Sequence, residues 1–273
     1  MKTRIISAAV AIVIAVIMLA LHNTFVFELA IGFLAVVALM ELFKATKLDR
    51  LVIQTSICYA YAALVCIGHI FPVTAAKMHY GELIMGLFVI CLFVSFFKYH
   101  EKIKYQQLIN LLAFGYFIPF AFEALLKMND REHGLFMVVI TLCGAWLADS
   151  GAYFAGTFFG KTKLCPKISP KKTVEGLVGG VISNGVILII VGLIYDFILK
   201  GPELNYLGLF VAGMLCALIG LVGDLSASLI KRQTGIKDYG NIMPGHGGVM
   251  DRFDSVILVA PFMYYVFSLG MIM

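Results

Sequence analysis

The sequence has 273 residues, 61% of them hydrophobic and 14% charged, with a net charge of +5, and its mean hydropathy is +0.96. Soluble domains carry roughly 45–50% apolar and about 25% charged residues, so these values exclude an ordinary soluble protein. A basic balance points to nucleic acid only where it forms a soluble face. Here the charges sit between apolar runs, and nucleic acid is not an expected partner.

Nine apolar stretches follow one another: Ile5 to Leu21, Phe25 to Phe43, Leu51 to Phe71, Leu83 to Phe97, Leu108 to Leu126, Leu135 to Thr157, Leu177 to Tyr195, Tyr206 to Ile230 and Val256 to Met273. A membrane span needs ~20 apolar residues. Continuous rather than alternating apolarity predicts helices, because a backbone in lipid must satisfy its own hydrogen bonds. The expected class is all-α and polytopic, with about nine transmembrane helices. The first stretch has a basic start and an apolar run, but no small-x-small cleavage site follows Leu21, so it reads as a retained span. Cys58, Cys66, Cys91, Cys143, Cys165 and Cys216 show no CxxC spacing, which argues against a disulfide framework or a zinc site.

Counted on alternate sides of these spans, seventeen of the 21 Lys and Arg residues share the side of the amino terminus. The positive-inside rule then puts the amino terminus inside and the carboxyl terminus outside. Residues 1–134, helices one to five, read as scaffold with dimer and lipid contacts. Residues 135–273, helices six to nine, carry two organised polar loops, Gly160 to Gly176 and Lys231 to Asp254, both expected in the cytoplasm. No internal repeat suggests the inverted halves of a transporter.

Carboxylates at membrane depth direct attention to the chemistry, since an ionisable group at the centre of a span costs ~2.5–3.5 kcal/mol or more. At ~1.5 Å per residue, Asp224 lies about 10 Å below Lys231 and Asp149 about 12 Å below Thr157. Asp251 and Asp254 stand three residues apart at the start of the last span, on one face if that turn is helical. Four acids can thus converge on one pocket, which would need cations. An all-oxygen donor set suits Mg²⁺ rather than zinc. The plainer reading is that Asp149 and Asp224 pair with Lys or Arg between helices. Lys231, Arg232, Lys237 and Arg252, together with Lys161, Lys163, Lys167, Lys171 and Lys172, interleave with the acids and suit phosphate. Pro244-Gly245-His246-Gly247-Gly248 cannot be regular helix and can form an anion-binding nest. Ser169-Pro170 reads as a helix N-cap followed by proline at the first helical position.

The stretch Ser228-Leu-Ile-Lys231-Arg232, then Lys237-Asp238, then Pro244-Gly-His246-Gly247-Gly248-Val-Met-Asp251-Arg252-Phe-Asp254 resembles the signature of the phosphatidate cytidylyltransferases. The upstream block from Asp149 through Gly160-Lys161 to Ser169-Pro170-Lys171-Lys172-Thr173-Val-Glu175-Gly176 is similar to that family's second characteristic block. The resemblance spans about Asp149 to Asp254. It implies attack of the phosphate of phosphatidic acid on the α-phosphate of CTP, giving CDP-diacylglycerol and pyrophosphate in a bacterial inner membrane. It further implies Mg²⁺, a monovalent cation such as K⁺ beside it, and a homodimer. On this resemblance Asp224 and Asp251 hold metal, and Lys231, Arg232, Lys237 and Arg252 neutralise phosphates. Ser228, Asp238, His246, Gly247, Gly248, Asp254 and Asp149 shape the substrate site, and Lys171, Lys172 and Thr173 contact nucleotide or lipid phosphate. The alternatives are a CTP-dependent polyprenol or similar lipid kinase, in which the γ-phosphate moves, and an ion-coupled transporter using Asp149 and Asp224.

Overall fold

A computed structural model describes residues 2–70, 75–199, 203–242, 245 and 247–273. Among them the apolar runs form α1 (Lys2–Ala20), α2 (Phe25–Ala45), α3 (Val52–Ile67), α4 (Ala75–Lys98), α5 (Tyr105–Asn129), α6 (Gly134–Phe159), α7 (Val174–Leu199), α8 (Tyr206–Thr234) and α10 (Val256–Ser268). A single turn, α9 (Met250–Phe253), precedes the last helix. Seven of the described helices, α2 to α8, are long and apolar enough to cross a membrane, while Ala9–Ala20 and Val256–Ser268 are apolar but shorter. The architecture is a polytopic all-α membrane protein.

One expectation is corrected. Ser169 and Pro170 do not open a helix: Lys163–Cys165 (β1) and Ser169–Thr173 (β2) form an antiparallel hairpin, with Lys163 opposite Thr173 and Cys165 opposite Ser169. A two-stranded hairpin has only edge strands, where the missing N–H of proline is tolerated. The N-cap of α7 is instead Thr173, whose hydroxyl accepts the Gly176 N–H at 3.1 Å. The condition for Asp251 and Asp254 to share a helical face is not met, because α9 ends at Phe253 and α10 begins at Val256.

The chain divides into two compact units, residues 1–126 with 236–252 and residues 127–235 with 253–273. In the first, α2 packs on α3 and α3 on α4. Its core includes the fully buried Leu39, Leu42, Phe43, Leu92, Leu111 and Phe122. Two polar pairs lie inside it: buried Gln54 donates to Ser95, and His69 lies 3.7 Å from Glu123.

The second unit is built from α6, α7, α8 and α10. Helices in lipid gain nothing from hydrophobic exclusion and associate through close packing and interhelical hydrogen bonds. Both devices are present. A Cβ on Gly176 would lie 2.8 Å from the Ala152 carbonyl, and one on Gly180 would lie 2.9 Å from the Ala152 Cβ. Buried Asn184 of α7 donates from Nδ2 to the Gly144 carbonyl of α6 at 2.9 Å and to the Gly213 carbonyl of α8 at 2.8 Å. At one end of the unit Arg131 donates to Ser268 at 2.7 Å and covers the Tyr264 ring at 4.8 Å. The acids described next lie toward the other end.

Candidate active site

The hairpin is fastened at three points within the second unit. Glu175, in the first turn of α7, accepts the N–H groups of Lys161 and Thr162 at 3.1 Å each. The Val174 N–H reaches the Thr162 carbonyl at 2.9 Å. Arg232, in the last turn of α8, donates from Nε to the Ile168 carbonyl at 3.4 Å. Together these hold β2 against the ends of α6 and α8, and Lys172 faces inward.

The inward position of Lys172 organises the site. Its ammonium lies 2.5 Å from Oδ2 of Asp224 and 3.5 Å from Oδ1 of Asp149. Burial works against the charge of Lys172, yet the two carboxylates hold its pKa above the ordinary lysine range. Asp254, in the same unit, has its carboxyl pushed up by burial first and then by the charges of Asp224 and Asp149. The Ser255 N–H, which it accepts at 2.8 Å, and the Lys231 charge oppose that rise. The site thus sets Asp149 and Asp224 directly against the Lys172 ammonium, with Asp254 and Lys231 acting on one another nearby. Ser228 lies one turn beyond Asp224 on α8 and is half-buried.

Asp149, Asp224 and Lys172 open on a cleft of about 520 Å³. Its polar end is formed by Asp149, Asp224, Lys163, Ser169, Lys171, Lys172 and Thr173, and its apolar wall by Ala148, Ala152, Leu177, Val181, Ala217 and Leu221. The cleft can take a molecule that is anionic at one end and hydrocarbon at the other. Its donors are oxygens, and Lys172 shows that the acids accept a cation between them. Among the described residues no three of His, Cys, Asp and Glu are grouped as a metal site. A divalent ion held here would complete its shell with water and phosphate oxygens, the usual manner of Mg²⁺.

Lys237, Asp238, Gly247, Gly248, Asp251 and Arg252 belong to the other unit. Lys237, Asp238 and Arg252 are exposed there, and Gly247 and Gly248 are buried. Gly247 adopts φ +87°, a left-handed conformation that glycine takes without strain. Oδ2 of Asp251 accepts the N–H groups of Tyr239 at 2.8 Å and Gly248 at 3.0 Å. His246 lies outside the described residues.

Glu41, near the end of α2, was missed by motif reasoning. It accepts the Val249 N–H at 3.1 Å and the Met250 N–H at 2.8 Å. The signal that could have found it is a lone carboxylate near the end of the second apolar stretch.

A family model described as the cytidylyltransferase family matches residues 2–269. The chain is 32% identical over 284 residues to the phosphatidate cytidylyltransferase of Haemophilus influenzae, covering 98% of both chains. It is 31% identical to the protein of the same name from Staphylococcus haemolyticus over 265 residues, 96% of each. With the Bacillus subtilis phosphatidate cytidylyltransferase the identity is 40% over 158 residues, 58% of this chain and 54% of that one.

Proposed function

The chain belongs to the cytidylyltransferase family, and from that premise we propose that it is an integral membrane phosphatidate cytidylyltransferase, a nucleotidyltransferase of phospholipid synthesis. A phosphate oxygen of phosphatidic acid attacks the α-phosphorus of CTP. The bond from that phosphorus to the oxygen bridging to the β-phosphate breaks, pyrophosphate leaves, and CDP-diacylglycerol remains in the bilayer. The observation that carries this reading is the cleft holding Lys172 between Asp149 and Asp224 at its polar end, with an apolar wall beside it.

A phosphate monoester is already anionic and nucleophilic at neutral pH. Catalysis therefore reduces to positioning and charge neutralisation, without a strong general base. Lys172 and Lys231 balance phosphate charge at the cleft, and Lys171 and Thr173 line its mouth. Arg232 holds the hairpin turn and adds positive charge there. Lys237 and Arg252, which belong to the other unit, are phosphate-neutralising residues in this reading, and Asp238, His246, Gly247 and Gly248 are substrate-site residues. Ser228, Asp149 and Asp254 shape the cleft around Asp224. Asp224 in one unit and Asp251 in the other are each proposed as magnesium ligands, and magnesium bound at either would supply Lewis-acid stabilisation of phosphoryl charge. The backbone bonds to Asp251 fix the direction of its carboxylate.

The enzyme sits in a bacterial inner membrane as a homodimer with its amino terminus inside, its carboxyl terminus outside and a monovalent cation such as K⁺ beside magnesium. Purified protein incubated with Mg²⁺, phosphatidic acid and CTP labelled at the α-phosphorus should carry label into lipid, whereas γ-label should leave as pyrophosphate. Transfer of γ-label to lipid would instead establish a lipid kinase. Sidedness is tested at Cys165, which lies on the hairpin. It should react with an impermeant maleimide in inside-out vesicles and stay unlabelled in sealed cells.

A further inference from the structure

Glu41 occupies the last turns of α2 with 7% of its surface exposed. A carboxylate in a span requires a partner, and among the described residues two backbone amides meet it: Val249 N–H on Oε1 and Met250 N–H on Oε2. Two glycines make room for it. A Cβ on Gly240 or on Gly248 would overlap the Glu41 carboxylate, which is the nearest group to both positions. The same short segment is closed by Asp251, whose Oδ2 holds the amides of Tyr239 and Gly248. Tyr239 and Gly248 are therefore tied to Asp251, and Val249 and Met250 to α2 through Glu41, all within one unit.

We propose that Glu41 is a positioning residue for nucleotidyl transfer, clamping the Gly247–Met250 turn so that the carboxylate of Asp251 keeps its direction. The inference rests on the functional reading above. A bidentate acceptor is required because two amides must be met at once. A glutamine offers one oxygen and turns an NH₂ toward the second amide, leaving donor against donor.

The test combines amide exchange, kinetics and a suppressor pair in the full chain in lipid nanodiscs. Glu41→Gln should raise amide exchange at Val249 and Met250 at least tenfold. It should also raise the half-saturating Mg²⁺ concentration severalfold and lower kcat at least tenfold, with the melting temperature changed by only a few degrees. Gly240→Ala should reproduce these effects in the wild-type background and add nothing in Glu41→Ala, where its methyl group no longer meets a carboxylate. Faster exchange with unchanged kcat and Mg²⁺ dependence would reduce Glu41 to a structural staple and overturn the proposal. So would additive effects of Gly240→Ala and Glu41→Ala. If the wild-type protein makes no CDP-diacylglycerol, the functional reading fails instead, and the exchange and suppressor results still judge the clamp.

Discussion

Replacing Lys172 by methionine keeps most of the side-chain volume and removes an ammonium that touches both Asp149 and Asp224. At an effective dielectric of about 20, the separations of 2.5 and 3.5 Å correspond to about 7 and 5 kcal/mol of gross attraction. Desolvation of the three groups offsets most of that. Removing one member of a buried pair typically costs ~3–5 kcal/mol, but the Asp149 side chain is 58% exposed and its contact is screened. The net expectation for Lys172→Met is a loss of about 2 kcal/mol. For a chain of this size that lowers the melting temperature by roughly 4–8 °C. Asp224→Asn should cost a similar amount, and the double variant should be little worse than either single one. The coupling is then on the order of 1–2 kcal/mol, within the range for groups in direct contact. Unfolding followed by intrinsic fluorescence in detergent, without nucleotide or metal, measures all four proteins. If the two single losses simply add to within ~0.5 kcal/mol, Lys172 is not the energetic partner of Asp224 and the organisation of the cleft described here is wrong.

Activity makes a separate demand on Asp224: Asp224→Asn should fold yet lose on the order of a hundredfold in rate, about 3 kcal/mol of transition-state stabilisation. Asp196→Asn, on α7 far from the hairpin, should behave as wild type in the same CTP assay. Asn184→Leu removes two interhelical hydrogen bonds and should cost about 1 kcal/mol, a few degrees of melting temperature. The KM for CTP in Asn184→Leu should remain unchanged. Thr173→Val deletes the cap of α7 and should cost ~1 kcal/mol, while Thr173→Ser should restore the stability. Chelation with EDTA should abolish CTP-dependent labelling of lipid, and excess Mg²⁺ should restore it, as a resident carboxylate-bound ion requires.

The helical spans were legible because continuous apolarity over ~20 residues leaves the backbone few alternatives in lipid. The intramembrane acids were legible by the same logic, as groups too costly to be idle. What they would meet was legible only as a class. Lys172 emerged as the partner because β2 folds back on α6 and α8, and that return depends on Glu175 and Arg232 gripping backbone groups of the hairpin. Ser169-Pro170 shows why local chemistry misled: the same dipeptide suits a helix start and an edge strand, and pairing with Lys163–Cys165 decides between them. Glu41 escaped for the opposite reason. Its partners are backbone amides at Val249 and Met250, which carry no residue-specific mark in the sequence.

The clamp made by Glu41 also orders events at the ribosome. Its acceptor atoms and the amides they meet are 208 and 209 residues apart in the chain. At roughly 5–20 residues per second, translation takes about 10–40 s to supply Val249 after Glu41 has been incorporated. Throughout that interval α2 carries a carboxylate whose native amides have not been synthesised. The unit begun first is thus finished almost last, after α6, α7 and α8 have been made. A nascent chain arrested before Val249 would hold an incomplete amino-terminal unit in which Glu41 lacks the two amides that meet it in the full-length protein.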